Sequence, residues 1–191
     1  MEITKKWLDT HKWMIRSSAN GISYNGFKWP AIGIWIECPD WNETSKCGGG
    51  FHGEMAEYNG FGMQYYRAEL VEYEGKAIPI NTGDGNDKVK VRHARVVAIG
   101  GDIPDEAFIR CGYQIAHDGD TISPKSGERW IVLSGHVTVT NQSGGDCWFS
   151  GSATGTVTNQ SGGDCWFSDS ATGTVTNQSG GDCWFSGSAT G

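Results

Sequence analysis

Short stretches of alternating apolar and polar residues run through the first two thirds of the chain and predict β-strands. The clearest lies at 88–100 (KVKVRHARVVAIG), which indicates either one long strand or two strands joined by a bend at His93. Weaker matches predict strands at four further places: 33–41, 63–74, 76–80 and 127–135. This density of short strands is typical of a β-rich domain.

Two stretches have apolar residues at helical spacing. Residues 103–116 carry Asp105 and Glu106 where the first turn would lie, and the helix dipole favours negative charge there, so we expect a helix. Residues 3–16 fit a helix or a first strand equally well. Glycines punctuate residues 47–62, which predicts a loop around a short helical turn. The expected result is a β-rich α+β domain.

This domain, over residues 1–134, is followed by a repeat. Between residues 138 and 191 a motif of eighteen residues recurs three times, with Asp169 as the single substitution among the copies. Fixed periods of this size predict stacked coils, and eighteen residues provide three sides of about six residues each. We therefore expect a short β-solenoid of three coils over residues 135–191. A disordered linker rich in glycine and serine is the alternative.

Stacked coils place equivalent residues about 4.8 Å apart, so each repeated position becomes a column. The valines are expected to form an inner column: Val139, Val157 and Val175. Outward threonines flank them: Thr138, Thr140, Thr156, Thr158, Thr174 and Thr176. This spacing resembles the threonine arrays of ice-binding insect proteins, so ice binding is one alternative function. Asn141, Asn159 and Asn177 predict an amide ladder at a turn.

Each copy also contains the apolar triplet Cys-Trp-Phe, and a strand points two of these side chains to one face and the third to the other. Burying Cys and Phe hides two apolar groups per coil, so we expect the tryptophans to face outward; the reverse arrangement is the alternative. The outward column would consist of Trp148, Trp166 and Trp184. Exposed apolar patches mark interaction surfaces, so we expect a second chain, the N-terminal domain or a flat ligand such as a sugar ring to cover it.

Charge is distributed unevenly along the chain, whose net charge is −7. All 15 lysines and arginines lie in residues 1–134, whereas the repeats contain only acidic charges. Because contacts to phosphates need cations, the tail is not expected to bind nucleic acid. No apolar run resembles an export signal or a membrane span, so we expect a location in the host-cell cytoplasm or a virion, and six cysteines present as thiols.

Residues 37–53 (ECPDWNETSKCGGGFHG) hold the densest group of reactive side chains. Cys38, Cys47 and His52 would offer three metal ligands, but their spacing lacks the short paired intervals of a structural zinc site. No metal is therefore predicted. The motif residues without an assigned role are Cys47, Gly50, Phe51 and His52.

These segments carry a resemblance to a known group of proteins. GISYNGFKWP, the core from Cys47 to Gly53 and KVKVRHARVVAIGG are similar to an uncharacterised family found in bacteriophage and bacterial genomes, over most of residues 14–100. Its members combine a C-x-x-G-[FL]-H domain with a tail of short Gly/Ser/Thr/Ala repeats. The repeats also resemble the Ser-Ala-Thr-Gly coils in the heads of trimeric autotransporter adhesins, which implies association of several copies.

A second resemblance concerns the order Gly-Phe-His-Gly, Tyr58, Tyr65 and Tyr66, followed by a strand. It is similar to the region of ADP-ribosyltransferases in which a tyrosine stacks on nicotinamide, and it implies NAD as cofactor with Arg16 and Glu69 as candidate polar residues. We therefore expect a non-enzymatic structural, attachment or oligomerisation protein of phage type, without a cofactor, that forms a homo-oligomer or docks on a larger particle. The alternative is an ADP-ribosyltransferase-like enzyme with an accessory solenoid.

Overall fold

A computed structural model describes residues 2–23, 26–59, 67–80 and 87–191 of the chain. The chain divides into two units. The first comprises Met1–Gln64 and Ala68–Gly112, and the second comprises Tyr65–Arg67 and Tyr113–Gly191. Each unit has its own hydrophobic core.

The first unit combines short helices with two small sheets. Its helices are α1 (Lys5–Thr10) and α2 (Asp105–Arg110), with a 3-10 turn at Gly100–Asp102. Its strands are β1 (Trp13–Ser18), β2 (Ile36–Glu37), β3 (Phe51–Gly53), β4 (Arg67–Glu74), β5 (Ile78–Ile80), β6 (Lys88–Val91) and β7 (His93–Ile99). The sheets have the strand orders β1-β4-β7-β2 and β3-β6-β5. No helix in the described part of the chain is long and apolar enough to cross a membrane.

The N-terminal ambiguity is resolved because residues 3–16 form both predicted elements in succession. The hydroxyl of Thr4 accepts a hydrogen bond from the backbone N–H of Trp7 at 3.2 Å and so caps α1. The chain is extended after this helix and continues as β1. Further along, β6 and β7 confirm the prediction of two strands over 88–100.

Two predictions in this unit are wrong in detail. The helix predicted at 103–116 ends at Arg110, because Gly112 has φ +81, which a continuing helix does not allow. The pattern predicts a helical turn within 47–62, whereas Phe51–Gly53 forms β3 and pairs antiparallel with β6. Pairing with a strand distant in sequence outweighs the local preference of the glycine-rich segment.

The second unit is a β-solenoid of about four turns over residues 114–185, which confirms the predicted fold class. Its strands are β8 (Gln114–Ile115), β9 (Thr121–Ile122), β10 (Arg129–Val132), β11 (His136–Thr140), β12 (Asp146–Phe149), β13 (Thr154–Thr158), β14 (Cys165–Phe167), β15 (Thr172–Thr176) and β16 (Cys183–Phe185). They form two parallel sheets, β8-β10-β12-β14-β16 and β9-β11-β13-β15, which we call the tryptophan sheet and the threonine sheet. The solenoid begins at β8, before the predicted start at residue 135. The sequence did not indicate this first turn, because β8 and β9 are too short to show a periodic pattern.

Equivalent residues of successive turns lie side by side, as the repeat predicts. In the threonine sheet Val139 pairs with Val157, and both are fully buried. At a turn, Nδ2 of Asn159 donates to Oδ1 of Asn141 at 3.1 Å, and the same bond recurs one coil later. The predicted valine column and asparagine ladder are therefore confirmed.

Candidate functional site

The outward face of the tryptophan sheet carries a column of large apolar side chains. In-register pairing places these residues next to one another: Ile115, Ile131, Trp148, Trp166 and Trp184. The neighbours of Trp148, Cys147 and Phe149, belong to the interior of the solenoid and are fully buried. The predicted arrangement, with cysteine and phenylalanine inside and tryptophan outside, is confirmed.

Exposure along this column differs between its members. Trp148 is only 5% exposed; its indole stacks on Trp166 with ring centroids 4.9 Å apart and meets the Tyr113 ring edge-on at 5.7 Å. Trp184, by contrast, is 54% exposed. Trp148 faces outward as predicted but is covered by Tyr113 and Trp166, and Tyr113 lies within residues 1–134, the predicted domain that was one of the expected covers. The most accessible part of the column is Trp184.

The last coil exposes apolar side chains on both faces of one strand. Trp184 projects outward from β16, while its neighbour Phe185 belongs to the inner phenylalanine column and is 42% exposed. Phe185 stacks on Phe167 with ring centroids 4.8 Å apart, and Phe167, which has a ring on each side, is fully buried. Within the described residues β15 and β16 are the outermost strands of their sheets. Trp184 and Phe185 are therefore the large aromatic side chains that the described solenoid exposes.

Two buried glutamines fix the interior on the third side of the solenoid, and sequence reasoning did not identify them. Gln142 and Gln160 are 0% exposed. Nε2 of Gln142 donates to the carbonyl of Gly145 at 2.9 Å, and its Oε1 accepts a hydrogen bond from Sγ of Cys165 at 3.0 Å. Gln160 accepts the equivalent bond from Cys183. The sequence feature that could have identified them is a glutamine directly before Ser-Gly-Gly in every copy of the repeat.

Two cysteines inside the solenoid, Cys165 and Cys183, have a raised pKa. The hydrogen bond between the Cys165 and Cys147 side chains, together with burial, raises the pKa of Cys165. Because the thiolate is the reactive form, these residues serve packing rather than chemistry. All six cysteines of the chain are free, as predicted.

In the first unit, the CGGGFHG segment encloses a buried lysine. Lys90 is 0% exposed. Its Nζ donates three hydrogen bonds, at 2.8–3.0 Å, to Oδ1 of Asn42 and to the backbone carbonyls of Lys46 and Gly48. These acceptors satisfy all three N–H donors of an ammonium group. Burial lowers the pKa of Lys90.

The close approach to this lysine explains the glycines of the motif. A Cβ atom at Gly50 would lie 2.9 Å from Cβ of Lys90, and Gly49 has φ +57, where side chains are strained. Phe51 packs on Trp29 with ring centroids 4.6 Å apart in the core of the unit. The motif therefore shapes a loop around a buried cation.

Cys38, Cys47 and His52 lie in different environments. Cys38 is buried and donates to Oδ1 of Asp40 at 2.9 Å, and burial raises the pKa of Cys38 to about 12, whereas Cys47 is exposed. Burial, with the nearby charge of Lys88, lowers the pKa of His52 to about 4, so its imidazole is neutral. Among the residues that the structure describes, no three His, Cys, Asp or Glu side chains are grouped as a metal ion requires.

Arg16 and Glu69, the candidate polar residues of the NAD interpretation, form a buried ion pair with Nε and Oε2 3.3 Å apart. The other carboxylate oxygen accepts a hydrogen bond from Oγ of Ser18 at 2.5 Å, and the guanidinium lies 4.5 Å from the Trp29 ring centroid. Burial lowers the pKa of Arg16 to about 10, and the charge of Glu69 opposes this effect. Glu69 is 0% exposed, so its carboxylate is engaged inside the unit.

Of the three tyrosines named with this pair, Tyr58 lies within the described residues. It packs against the core of the first unit, and its backbone pairs with Met55. Tyr65 and Tyr66 lie outside the described residues. The predicted strand at 63–74 is described from Arg67 onward, as β4.

A cleft of about 400 Å³ opens on the first unit, with Trp41, Glu74, Arg92 and His93 among its lining residues. Nδ1 of His93 lies 2.9 Å from Oε2 of Glu74, and Arg92 lies 2.6 Å from Oε1 of Glu37. Polar pairs as exposed as these contribute little to stability.

The last coil is the strongest candidate for a functional site, because its apolar groups lie open while Lys90 and the pair Arg16 and Glu69 are enclosed. Its chemistry suits contact with another apolar surface rather than a reaction. Comparison of the chain with protein-family models, with curated proteins and with solved structures found no match.

Proposed function

We propose that this is a non-enzymatic assembly protein of phage type, whose copies associate through the last coil of the solenoid. The observation that carries the proposal is the aromatic pair on β16, with Trp184 54% exposed and Phe185 42% exposed. Large aromatic side chains dominate the energetics of protein interfaces.

Stacking within the chain supports a second copy as the partner. Phe167 is fully buried where a following coil covers it. Two such coils related by a two-fold axis would cover Phe185 in the same way. Such a contact uses the same surface on both copies and is closed, so it limits assembly to a dimer.

The expected strength follows from the exposed area. A buried aromatic side chain covers about 150–250 Å², so the open halves of Trp184 and Phe185 amount to roughly 100 Å² each. At about 25 cal/mol per Å², the four side chains of a dimer contribute roughly 10 kcal/mol, against an association cost of about 4–15 kcal/mol. Dissociation constants in the micromolar range or weaker are therefore expected.

Charge opposes this contact. Each copy has a net charge of −7, and the last coil contributes Asp182 without a lysine or arginine in the repeats. Added salt screens repulsion between like charges at exposed sites. Association is therefore expected to strengthen as the salt concentration rises.

The test is sedimentation velocity of the full chain over a concentration series, at low and high salt. We expect the parent to associate with concentration and a Trp184→Ser, Phe185→Ser variant to associate at least tenfold more weakly. Trp184 is chosen in place of Trp148, since the buried indole supports the fold. Ile109→Ser is the matched control, because Ile109 is 53% exposed and lies in the first unit.

Two results would overturn the proposal. One is a parent chain that remains monomeric at its highest soluble concentration in high salt, which would leave only docking on a different particle. The other is equal weakening by Ile109→Ser and by the double variant, which would point to nonspecific contact. Circular dichroism of each variant verifies that the solenoid is intact.

A further inference from the structure

The side chain of Asn42 meets the buried lysine of the first unit. Lys90 belongs to β6, the central strand of the sheet β3-β6-β5, and is fully buried. Gly50 lies against the aliphatic part of this lysine, since an added Cβ there would be 2.9 Å from both Cβ and Cδ of Lys90. Nζ of Lys90 lies 2.9 Å from Oδ1 of Asn42. The sheet and the loop therefore hold an amino group directly against a side-chain amide.

The distance between these two groups suits the formation of a bond. A C=O bond is about 1.23 Å long, so Cγ of Asn42 lies roughly 3–4 Å from Nζ of Lys90, near the separation from which two positioned groups react. Gly49 makes room for the amide, because a Cβ atom at this position would overlap Nδ2 of Asn42. Asn42 is exposed, so a small molecule that leaves its Cγ can reach solvent.

Thr44 makes the amide carbon of Asn42 more electrophilic. The hydroxyl of Thr44 donates to Oδ1 of Asn42 at 2.7 Å, and its backbone N–H donates to the same oxygen at 3.3 Å. Together with Nζ of Lys90, three donors point at one amide oxygen. Donors in this position stabilise the negative charge that develops on a carbonyl oxygen when a nucleophile adds to the carbon.

Lys90 must be a neutral amine to act as the nucleophile, and its enclosure favours that form. Burial lowers the pKa of Lys90, against the opposing influence of Cys47, Cys38 and Asp40. A lower pKa raises the fraction of neutral amine at a given pH, and lysines withdrawn from water serve as nucleophiles for this reason. The influence of Asp40 on Lys90 also places a carboxylate near the amine, where it can accept a proton directly or through one water molecule.

We propose that Lys90 and Asn42 join spontaneously in an isopeptide bond. Nζ of Lys90 adds to Cγ of Asn42, the bond between Cγ and Nδ2 breaks, and Nδ2 leaves as ammonia. Asp40 takes one proton from Nζ and passes it to the departing Nδ2, so the atoms balance without a further reactant. The hydrogen bonds described above are those of the chain before the reaction. The product ties β6 to the loop across 48 positions of the sequence, and closing such a loop restricts the unfolded chain.

The test is a peptide map of the purified full chain, which is denatured, digested and analysed by mass spectrometry. We expect one branched peptide that joins the segments containing Asn42 and Lys90, with a mass lower by one ammonia than the sum of the two. Loss of ammonia from the intact chain is not sufficient, because an Asn-Gly pair such as Asn20 and Gly21 also loses ammonia when it forms a cyclic imide. The branched peptide distinguishes the isopeptide bond from this side reaction.

Variants test the role of each residue. Lys90→Met and Asn42→Ala should give no branched peptide, whereas Thr44→Val and Asp40→Asn should each form it at least tenfold more slowly. Ser45→Ala is the matched control for Thr44→Val, because Ser45 is exposed in the same loop, and it should match the parent.

Two results would overturn the proposal. One is a parent chain that yields these two segments only as linear peptides, and the other is a branched peptide that persists in Lys90→Met. The map of the parent decides the matter by itself, so a variant that fails to fold does not leave it open. The result is also independent of association through the last coil, since the peptide map reports a bond within one chain.

Discussion

Gly155→Ala tests whether the phenylalanine column sets the width of the solenoid. Gly155 lies in β13 at an inward position, and its backbone φ is not in the left-handed region. An added Cβ would meet Cε1 of Phe149 at 2.7 Å and Cε1 of Phe167 at 2.8 Å. Optimal separation between carbon atoms is about 3.5–4.0 Å, so the rings or the strand must move.

Two effects of opposite sign decide whether Gly155→Ala raises or lowers the free energy of unfolding. Replacing glycine by alanine at a compatible φ stabilises a protein by about 0.4–1 kcal/mol, because the unfolded chain loses freedom. Overpacking a filled interior costs about 1–3 kcal/mol. Both rings at Gly155 are stacked and fully buried, so they have little room to turn aside. We expect a net loss of about 1–2 kcal/mol, or roughly 2–8 °C in the melting temperature.

The assay is thermal unfolding of the full chain followed by circular dichroism. Gly101→Ala is the control, because Gly101 is exposed, also lacks a left-handed φ and has no atom within 4 Å of an added Cβ. Phe149→Leu removes the ring atoms nearest to the new methyl group, so the cost of Gly155→Ala should shrink in that background, as a double-mutant cycle measures. A melting temperature for Gly155→Ala equal to or above that of the parent would refute this account of the interior.

Four further predictions follow from the contacts of the first unit. Lys90→Met removes the donor that binds Oδ1 of Asn42 and the carbonyls of Lys46 and Gly48, and should lower the free energy of unfolding by about 1–3 kcal/mol. An unchanged urea midpoint would show that the loop does not depend on the ammonium group. Glu69→Gln leaves the charge of Arg16 buried without its counterion and should cost about 3–5 kcal/mol in the same assay. Millimolar NAD is expected to leave the melting temperature of the full chain unchanged, whereas a ligand at about 100 times its dissociation constant would add about 2.7 kcal/mol and would revive the transferase alternative. Burial lowers the pKa of His52 to about 4 in the folded chain, against 6.5 in the unfolded chain. The stability that neutral His52 contributes is therefore complete above pH 6.5 and is lost as the pH falls toward 4. His52→Gln should flatten that part of a plot of melting temperature against pH, and an unchanged slope would contradict this prediction.

The solenoid was predictable because its contacts join residues at a fixed separation in sequence. Once a period of eighteen is recognised, Val139 must lie beside Val157, and alternation along a strand then decides which of Cys147, Trp148 and Phe149 face inward. These contacts can be inferred without knowing the structure of the rest of the chain. The eighteen-residue period does not extend to β8 and β9, so the sequence assigns the first turn of the solenoid to the preceding domain.

The first unit was less predictable because its key contacts join residues that have no periodic relation. Nothing in the segment from Asn42 to Gly50 indicates that it surrounds a lysine forty or more positions later, and an isolated lysine in a strand pattern reads as solvent-facing. Likewise Arg16 and Glu69 were named through a resemblance, and nothing in the pattern indicates that they form an ion pair. Their pairing follows from the order of strands in a sheet, which composition and alternation do not specify. The N-terminal domain was expected as one possible cover of the tryptophan column, but the pattern did not indicate Tyr113 as the residue that packs on Trp148.

The single substitution among the repeats shows how strictly stacking constrains each position. Asp169 stands where the neighbouring copies have Gly151 and Gly187, and all three have φ between +57 and +68. Aspartate is among the few residues other than glycine that adopt this conformation readily, so the change preserves the turn. Its Oδ2 also accepts a hydrogen bond from Ser150 of the preceding coil at 2.9 Å, and burial raises the pKa of Asp169. A residue of a coil can therefore change only where the backbone allows the new residue and the adjacent coil supplies a partner for it. The outward columns are less constrained by packing, so their side chains can change to suit a binding partner.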